Sequence, residues 1–118
     1  MAEVADFLAR RAQACVDAGI PRERILIDPG FGFGKTLEHN LALLRGLERL
    51  TASGLPVLVG ISRKSMIGAL VERGVGERLA GSLAAAVLAV VKGARMIRAH
   101  DVAATVDALK VASAVLAA

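Results

Sequence analysis

Ile25-Leu26-Ile27-Asp28-Pro29-Gly30-Phe31-Gly32-Phe33-Gly34-Lys35 decides how this chain folds. Three aliphatic residues and a carboxylate run into a proline, and glycine then takes every second position. The aliphatic run predicts a short buried strand over 24–28. Pro29 ends it, because proline has no N–H to give a central strand. Gly30, Gly32 and Gly34 open backbone conformations closed to other residues and let the chain come close to a ligand. Phe31 and Phe33 are two of only three aromatics in the protein. Their place in the loop, rather than in a core segment, predicts a mobile loop over a flat ligand with Phe31 or Phe33 as its lid. A polar residue at the C-terminal end of a parallel strand is where α/β folds place their sites.

Two further apolar runs follow the same plan. Pro56–Ile61 (Pro-Val-Leu-Val-Gly-Ile) predicts a second strand, and Arg95–Ala99 a third, shorter one. Both are run-like rather than alternating, the pattern of strands covered on two faces of a parallel sheet. Helical periodicity fills the intervals. Residues 2–18 form the first helix, stopped by Gly19 and Pro21. Thr36 caps the next, whose face is Leu37, Leu41, Leu44, Leu47 and Leu50 and whose end is Gly54. Residues 63–73 form a short helix closed by Gly74. Residues 77–92 form a longer one, apolar nearly all round and so expected to be covered on both sides. The last helix runs over 102–116, with Val102, Val106, Leu109, Ala112 and Leu116 as its apolar positions.

The order is one helix and then three βα units, with strand starts about 32 and 39 residues apart. Three parallel strands cannot close a barrel, and a (β/α)₈ barrel needs roughly 250 residues. The expectation is a single partial domain over 1–118: the C-terminal part of a (β/α)₈ TIM barrel, or a half-barrel that needs a partner.

Composition narrows the function. Hydrophobic residues make up 55% and charged residues 22%, which excludes a disordered chain. The net charge of +4 comes from 15 basic and 11 acidic residues that are scattered, without an aromatic platform, so nucleic acid is not the expected partner. The longest apolar run, Leu79–Val91, is shorter than a membrane span requires, and Met1–Asp6 lacks the features of a signal peptide. A cytoplasmic protein without a membrane partner is expected. Cys15 is alone, so no intrachain disulfide can form, and its helical setting predicts a small buried residue. Two phosphate-loop patterns fail on spacing. Gly34-Lys35-Thr36 would need glycine where Pro29 stands, and Gly30-x-Gly32 would need it where Lys35 stands.

Three strand ends carry polar groups: Asp28, then Ser62-Arg63-Lys64, then Arg98-Ala99-His100-Asp101. In a parallel sheet these ends share one rim. A carboxylate there suits a ligand edge with paired N–H groups, and the cations suit carboxylate or phosphate oxygens. His100 can donate to an anion or move a proton. Each residue also has a plainer reading. Asp28 could cap a turn, and Asp101 is expected to be the N-cap of the last helix. Arg63 and Lys64 could be solvated, yet cations in a helix's first turn oppose its dipole, so an anion is expected near them. His39 reads as a surface residue, and Met66 and Met96 as packing.

Together the motifs Asp28–Lys35, Gly60-Ile61-Ser62-Arg63-Lys64-Ser65, Glu77-Arg78-Leu79-Ala80-Gly81-Ser82 and Arg98–Val102 resemble the C-terminal half of bacterial dihydropteroate synthase, in family order. The family usually has Val where Ala99 stands. The resemblance implies strands six to eight of the barrel. It implies condensation of dihydropterin pyrophosphate with p-aminobenzoate, giving dihydropteroate and pyrophosphate for folate synthesis. By matching position, Asp28, Lys64 and Arg63 would bind the pterin, and Ser62, Arg63 and Phe33 the p-aminobenzoate. Arg98 and His100 would hold pyrophosphate, and Lys64, Arg98 and His100 would be the catalytic set. Mg²⁺ would ride on the pyrophosphate, with its protein ligand in the N-terminal half rather than in this chain. The C-terminal helices would form a homodimer. The alternatives are a pterin-binding methyltransferase, and an inactive half-barrel that self-associates.

Overall fold

Val57, Val59 and Ile61 are buried while Leu58 between them is half-exposed. This alternation sets the central strand, with its odd residues turned to the helices and its even residues to an open face. A computed structural model describes residues 2–117. In chain order the elements are α1 (Ala2–Asp17), α2 (Leu37–Arg45), α3 (Glu48–Thr51), β1 (Leu58–Val59), α4 (Ser65–Val71), α5 (Leu79–Val91), β2 (Met96–Ile97) and α6 (Val102–Ala117). Single 3₁₀ turns at Arg22–Arg24 and Val75–Glu77 precede the first sheet segment and α5.

The architecture is α/β, mostly helical, on a parallel sheet. β1 pairs with β2 in the register Leu58↔Met96 and Val59↔Ile97. On the other side of β1, the expected first strand over 24–28 contributes one parallel bridge, Ile27↔Val57. All three expected strands are shorter than the sequence predicts. The two outer segments have a pairing neighbour on one side only among the described residues, so their ladders run out early. Hydrogen bonds from Arg95 to Val57 (3.0 Å) and from Arg98 to Val59 (3.0 Å) continue the pairing beyond the named strand residues.

Helix ends follow local chemistry. Gly19 closes α1 at φ +99, with Ile20 N–H on the Cys15 carbonyl and Gly19 N–H on the Val16 carbonyl, both at 3.0 Å. Thr36 caps α2 by accepting from His39 N–H at 3.1 Å. The single helix predicted from Thr36 to Gly54 is broken. Gly46 ends α2, and α3 restarts at Glu48, with Leu47 and Leu50 still in the core. The left-handed residue that closes α4 is Glu72 (φ +57), ahead of Gly74.

The core lies between the sheet and the helices, around Phe31, Leu43, Leu47, Val57, Val59 and Ile67. The Phe31 ring is fully buried here, which corrects its expected part in a lid. Cys15 is only half-buried, and Met96 is 48% exposed rather than packed, whereas Met66 is in the core. α5 buries only its face of small residues, Ser82, Ala85, Ala86 and Ala89; Leu88 and Val91 remain exposed, so it is not covered on both sides. α6 packs on α5 through Thr105 and Ala112, while Val102, Val106 and Leu116 of its expected apolar face are exposed. Small side chains on both helices let the backbones approach, so this pair does not need the large residues.

Candidate active site

The register decides which side chains meet. Ile27 stands opposite Val57, so Asp28 faces the same way as Leu58; two residues further on, Gly60 and Arg98 face that way too. The open face therefore has an apolar floor of Leu26, Leu58 and Met96 and a polar rim at the C-terminal ends of the strands.

Asp28 is both a turn cap and a partner of the rim. Its Oδ1 accepts from Gly30 N–H at 2.8 Å, and its Oδ2 lies 3.4 Å from Arg98 Nη1, a long ion pair. The Arg98 guanidinium occupies the space that a side chain at Gly60, just after β1, would fill. A Cβ there would fall 2.8 Å from Arg98 Cζ.

The glycine loop is tied down at several points. Gly30, Gly32 and Gly34 all have φ between +63 and +85. Buried Asn40 accepts from Gly32 N–H through Oδ1 at 3.0 Å. Lys35 Nζ donates to the carbonyls of Gly30 (2.8 Å) and Phe33 (3.3 Å). Phe31 anchors the loop from below, which leaves Phe33, 70% exposed, as the aromatic on the ligand side.

Lys64 joins this loop to the central strand. Its ammonium donates to the Phe31 carbonyl at 2.6 Å and stands 4.8 Å from the centre of the Phe33 ring. Burial lowers its pKa below the usual lysine value, and Arg98 and Lys35 lower it further against the opposing pull of Asp28.

Ser62 and His100 form the third link. Ser62 Oγ accepts from His100 backbone N–H at 3.2 Å and lies 2.9 Å from His100 Nδ1. With the hydroxyl proton directed to Nδ1, a neutral imidazole carries its own proton on Nε2. Arg63 turns away from Lys64. Its Nη2 and Nε reach Asp101 Oδ1 at 2.9 Å and Oδ2 at 3.4 Å. The anion expected beside Arg63 is therefore a side chain of the protein. Asp101 precedes α6 as predicted, but its carboxylate goes to Arg63, and its backbone carbonyl takes the Thr105 hydroxyl at 2.7 Å.

Asp28, Phe33, Lys64, Arg98, Ser62 and His100 thus stand on one rim, and Arg63 stands at its flank. Sequence reasoning gave no role to Asn40, Lys35, Arg78 or Ser82, which hold these segments in place. Asn40 carried a signal: it is a polar residue in register with Leu37 and Leu44 on an apolar helix face. Chemically the rim can take a planar edge with paired N–H donors at Asp28, an anionic group at Arg98 and His100, and a ring against Phe33.

Comparison with known proteins gives the same direction. Residues 1–100 match the family described as Pterin binding enzyme. The chain is 52% identical over 117 residues to the dihydropteroate synthase of Escherichia coli K12, covering 99% of this chain and 42% of that protein. It is 56% identical over 110 residues to that of Neisseria meningitidis serogroup C, covering 92% and 39%. The chain therefore spans about two fifths of the length of these curated relatives. Among solved structures, a Yersinia pestis dihydropteroate synthase superposes with a TM-score of 0.97 at 46% identity, covering 100% of this chain and 56% of that one. The Xanthomonas albilineans dihydropteroate synthase in complex with 7,8-dihydropteroate gives 0.96 at 54% identity, covering 99% and 45%.

Proposed function

The chain belongs to the pterin-binding enzyme family, and from that premise we propose that it carries the substrate rim of a dihydropteroate synthase. The observation that carries this reading is the linkage of Asp28 to Arg98 across β1, with Lys64 and His100 beside them. In this reading the three βα units are strands six to eight of a (β/α)₈ barrel, and the open face of the sheet is the barrel interior.

Asp28 accepts from the amino-pyrimidine edge of the pterin, Lys64 binds its heteroatoms, and Arg63 flanks the ring. Ser62, Arg63 and Phe33 border the p-aminobenzoate. Arg98 and His100 hold the pyrophosphate. The aryl amine attacks the pterin methylene, a C–N bond forms, the C–O bond to pyrophosphate breaks, and the amine gives up a proton. Negative charge grows on the leaving oxygens, where fixed cations stabilise it. Holding amine and methylene in contact supplies much of the remaining rate.

Mg²⁺ would neutralise charge on the departing pyrophosphate. Among the described residues no three His, Cys, Asp or Glu stand together, and the rim is dominated by cations that suit the anion rather than the metal. A homodimer through the C-terminal helices and a place in the cytoplasm complete the reading. The exposed apolar residues of α5 and α6 support the homodimer.

Fluorescence titration of the purified chain with dihydropterin pyrophosphate tests the proposal. Binding should compete with pyrophosphate, which separates this reading from a methyl-transferring pterin enzyme. Asp28→Ala and Arg98→Ala should each weaken it on the order of tenfold or more. A folded chain that binds no pterin overturns the proposal. Turnover by the 118 residues alone should fall far below that of a complete enzyme, because each missing preorganised donor costs on the order of 10²–10³ in rate.

A further inference from the structure

We propose that Arg78 and Ser82, on the turn into α5, are positioning residues that clamp Arg63 in a left-handed conformation and so send the adjacent cations Arg63 and Lys64 to opposite sides of the rim. Arg63 has φ +58, one of two non-glycine residues with positive φ among those described. Such a residue persists only where its surroundings over-determine it, and such residues gather at functional sites.

The surroundings here are specific. Arg63 N–H donates to Ser82 Oγ at 3.0 Å, and Ser82 is buried. The Arg63 carbonyl accepts from Arg78 Nη1 at 2.9 Å. Both polar groups of one peptide residue are thus taken by one short segment, 78–82. Arg78 is itself held: its Nε donates to the Arg73 carbonyl at 3.1 Å. Its guanidinium also occupies the space that a side chain at Gly68 would fill, with Nε 2.6 Å from that missing Cβ.

The consequence is a division of labour between neighbours. Two consecutive cations repel, and an extended or right-handed residue 63 would redirect the peptide plane leading to Lys64. The left-handed turn instead sends Arg63 to Asp101 and Lys64 to the Phe31 carbonyl. The bearing of this clamp on substrate rests on the pterin reading above; the clamp itself is a property of the free chain.

The test therefore uses no substrate. Water exchange of the Arg63 Nε–H is followed by ¹⁵N NMR in the 118-residue chain, with Arg63→Lys to assign the signal and Asp101→Asn to break its ion pair directly. Ser82→Ala and Arg78→Met should each speed this exchange about fivefold or more, towards the Asp101→Asn level, while Ser82→Thr keeps the wild-type rate. Folded Ser82→Ala and Arg78→Met chains with unchanged exchange overturn the proposal, as does a wild-type signal no slower than that of Asp101→Asn. Should either of those two variants fail to fold, Ser82→Cys and Arg78→Lys decide. Faster exchange in them supports the clamp, and unchanged exchange overturns it. None of these outcomes bears on whether a pterin binds.

Discussion

Lys64 is costly to the fold in the form that the rim uses. Burial and the nearby cations lower its pKa below the unfolded value of 10.5. Between that lowered value and 10.5 the unfolded chain binds the more protons, so stability attributable to Lys64 rises with pH across this interval and is lost again as pH falls through the folded value. Melting temperatures of wild type and Lys64→Met, compared across the alkaline range, should show this rise in the wild type alone. Parallel curves would mean that the Phe31 carbonyl and the Phe33 ring offset the burial. Gly60 makes a second prediction. A Cβ there meets the mobile end of Arg98, not backbone, so Gly60→Ala should change stability by less than about 1 kcal/mol. It should still push Arg98 off Asp28 and, if Arg98 holds pyrophosphate as proposed, weaken pyrophosphate binding several-fold, which calorimetry can separate from any change in melting. Asp28, Arg98 and Lys64 were legible in the sequence because their places follow from strand ends alone. Ser82 and Arg78 were not, because their value lies in contacts across 19 and 15 residues of chain.

The ends of α1 and α5 were legible as well, since a left-handed glycine acts within five residues, whereas the breaks at Gly46 and Glu72 were not. Gly19 and Gly93 show how far that locality extends. Both have φ +99 and both close a helix by the same pair of carbonyl contacts. A Cβ on Gly19 meets nothing within 4 Å, whereas one on Gly93 meets Thr51 Oγ1 at 2.9 Å. Thr51 Oγ1 in turn donates to the Lys92 carbonyl at 3.0 Å. Gly19→Ala should therefore cost about 1–2 kcal/mol, the strain of a left-handed alanine. Gly93→Ala should cost roughly 1–3 kcal/mol more, because Thr51 must give way and its bond is disturbed. Urea unfolding of the two variants measures the difference, and equal costs would show that Thr51 moves aside freely. The same contrast explains why strand lengths were illegible. A ladder needs neighbours on both sides, and hydropathy in one segment does not report them. The small-residue packing of α5 on α6 was illegible for a related reason: alanines read as weak signals on any face, yet here they carry the contact.

At the scale of the whole molecule, the chain is a slab rather than a sphere, 44 × 35 × 21 Å. Its accessible surface is 7257 Å², about 1,200 Å² more than a compact monomer of this mass would expose. That excess is about the size of a small specific interface. Two apolar patches are part of it. One is the open face of the sheet, where Leu26 and Met96 are exposed beneath the charged rim; the other is on the helices, where Leu88, Val91, Val111, Val115 and Leu116 are each more than half exposed. Burying either face favours association at about 25 cal/mol per Å² before the entropic cost of joining two bodies. The helical face has more large side chains and fewer charges to desolvate, Asp107 and Lys110 being the exposed ones on α6, so a second copy should pair there first. Light scattering over a dilution series should thus find species heavier than 12.2 kDa. Val111→Lys together with Val115→Lys should lower that mass, and Leu26→Lys should leave it near the wild-type value. The reverse pattern would put the contact on the sheet, where the rest of a barrel would otherwise close. A 12.2 kDa species at every concentration would mean that the excess surface stays wet, and that neither face joins two copies.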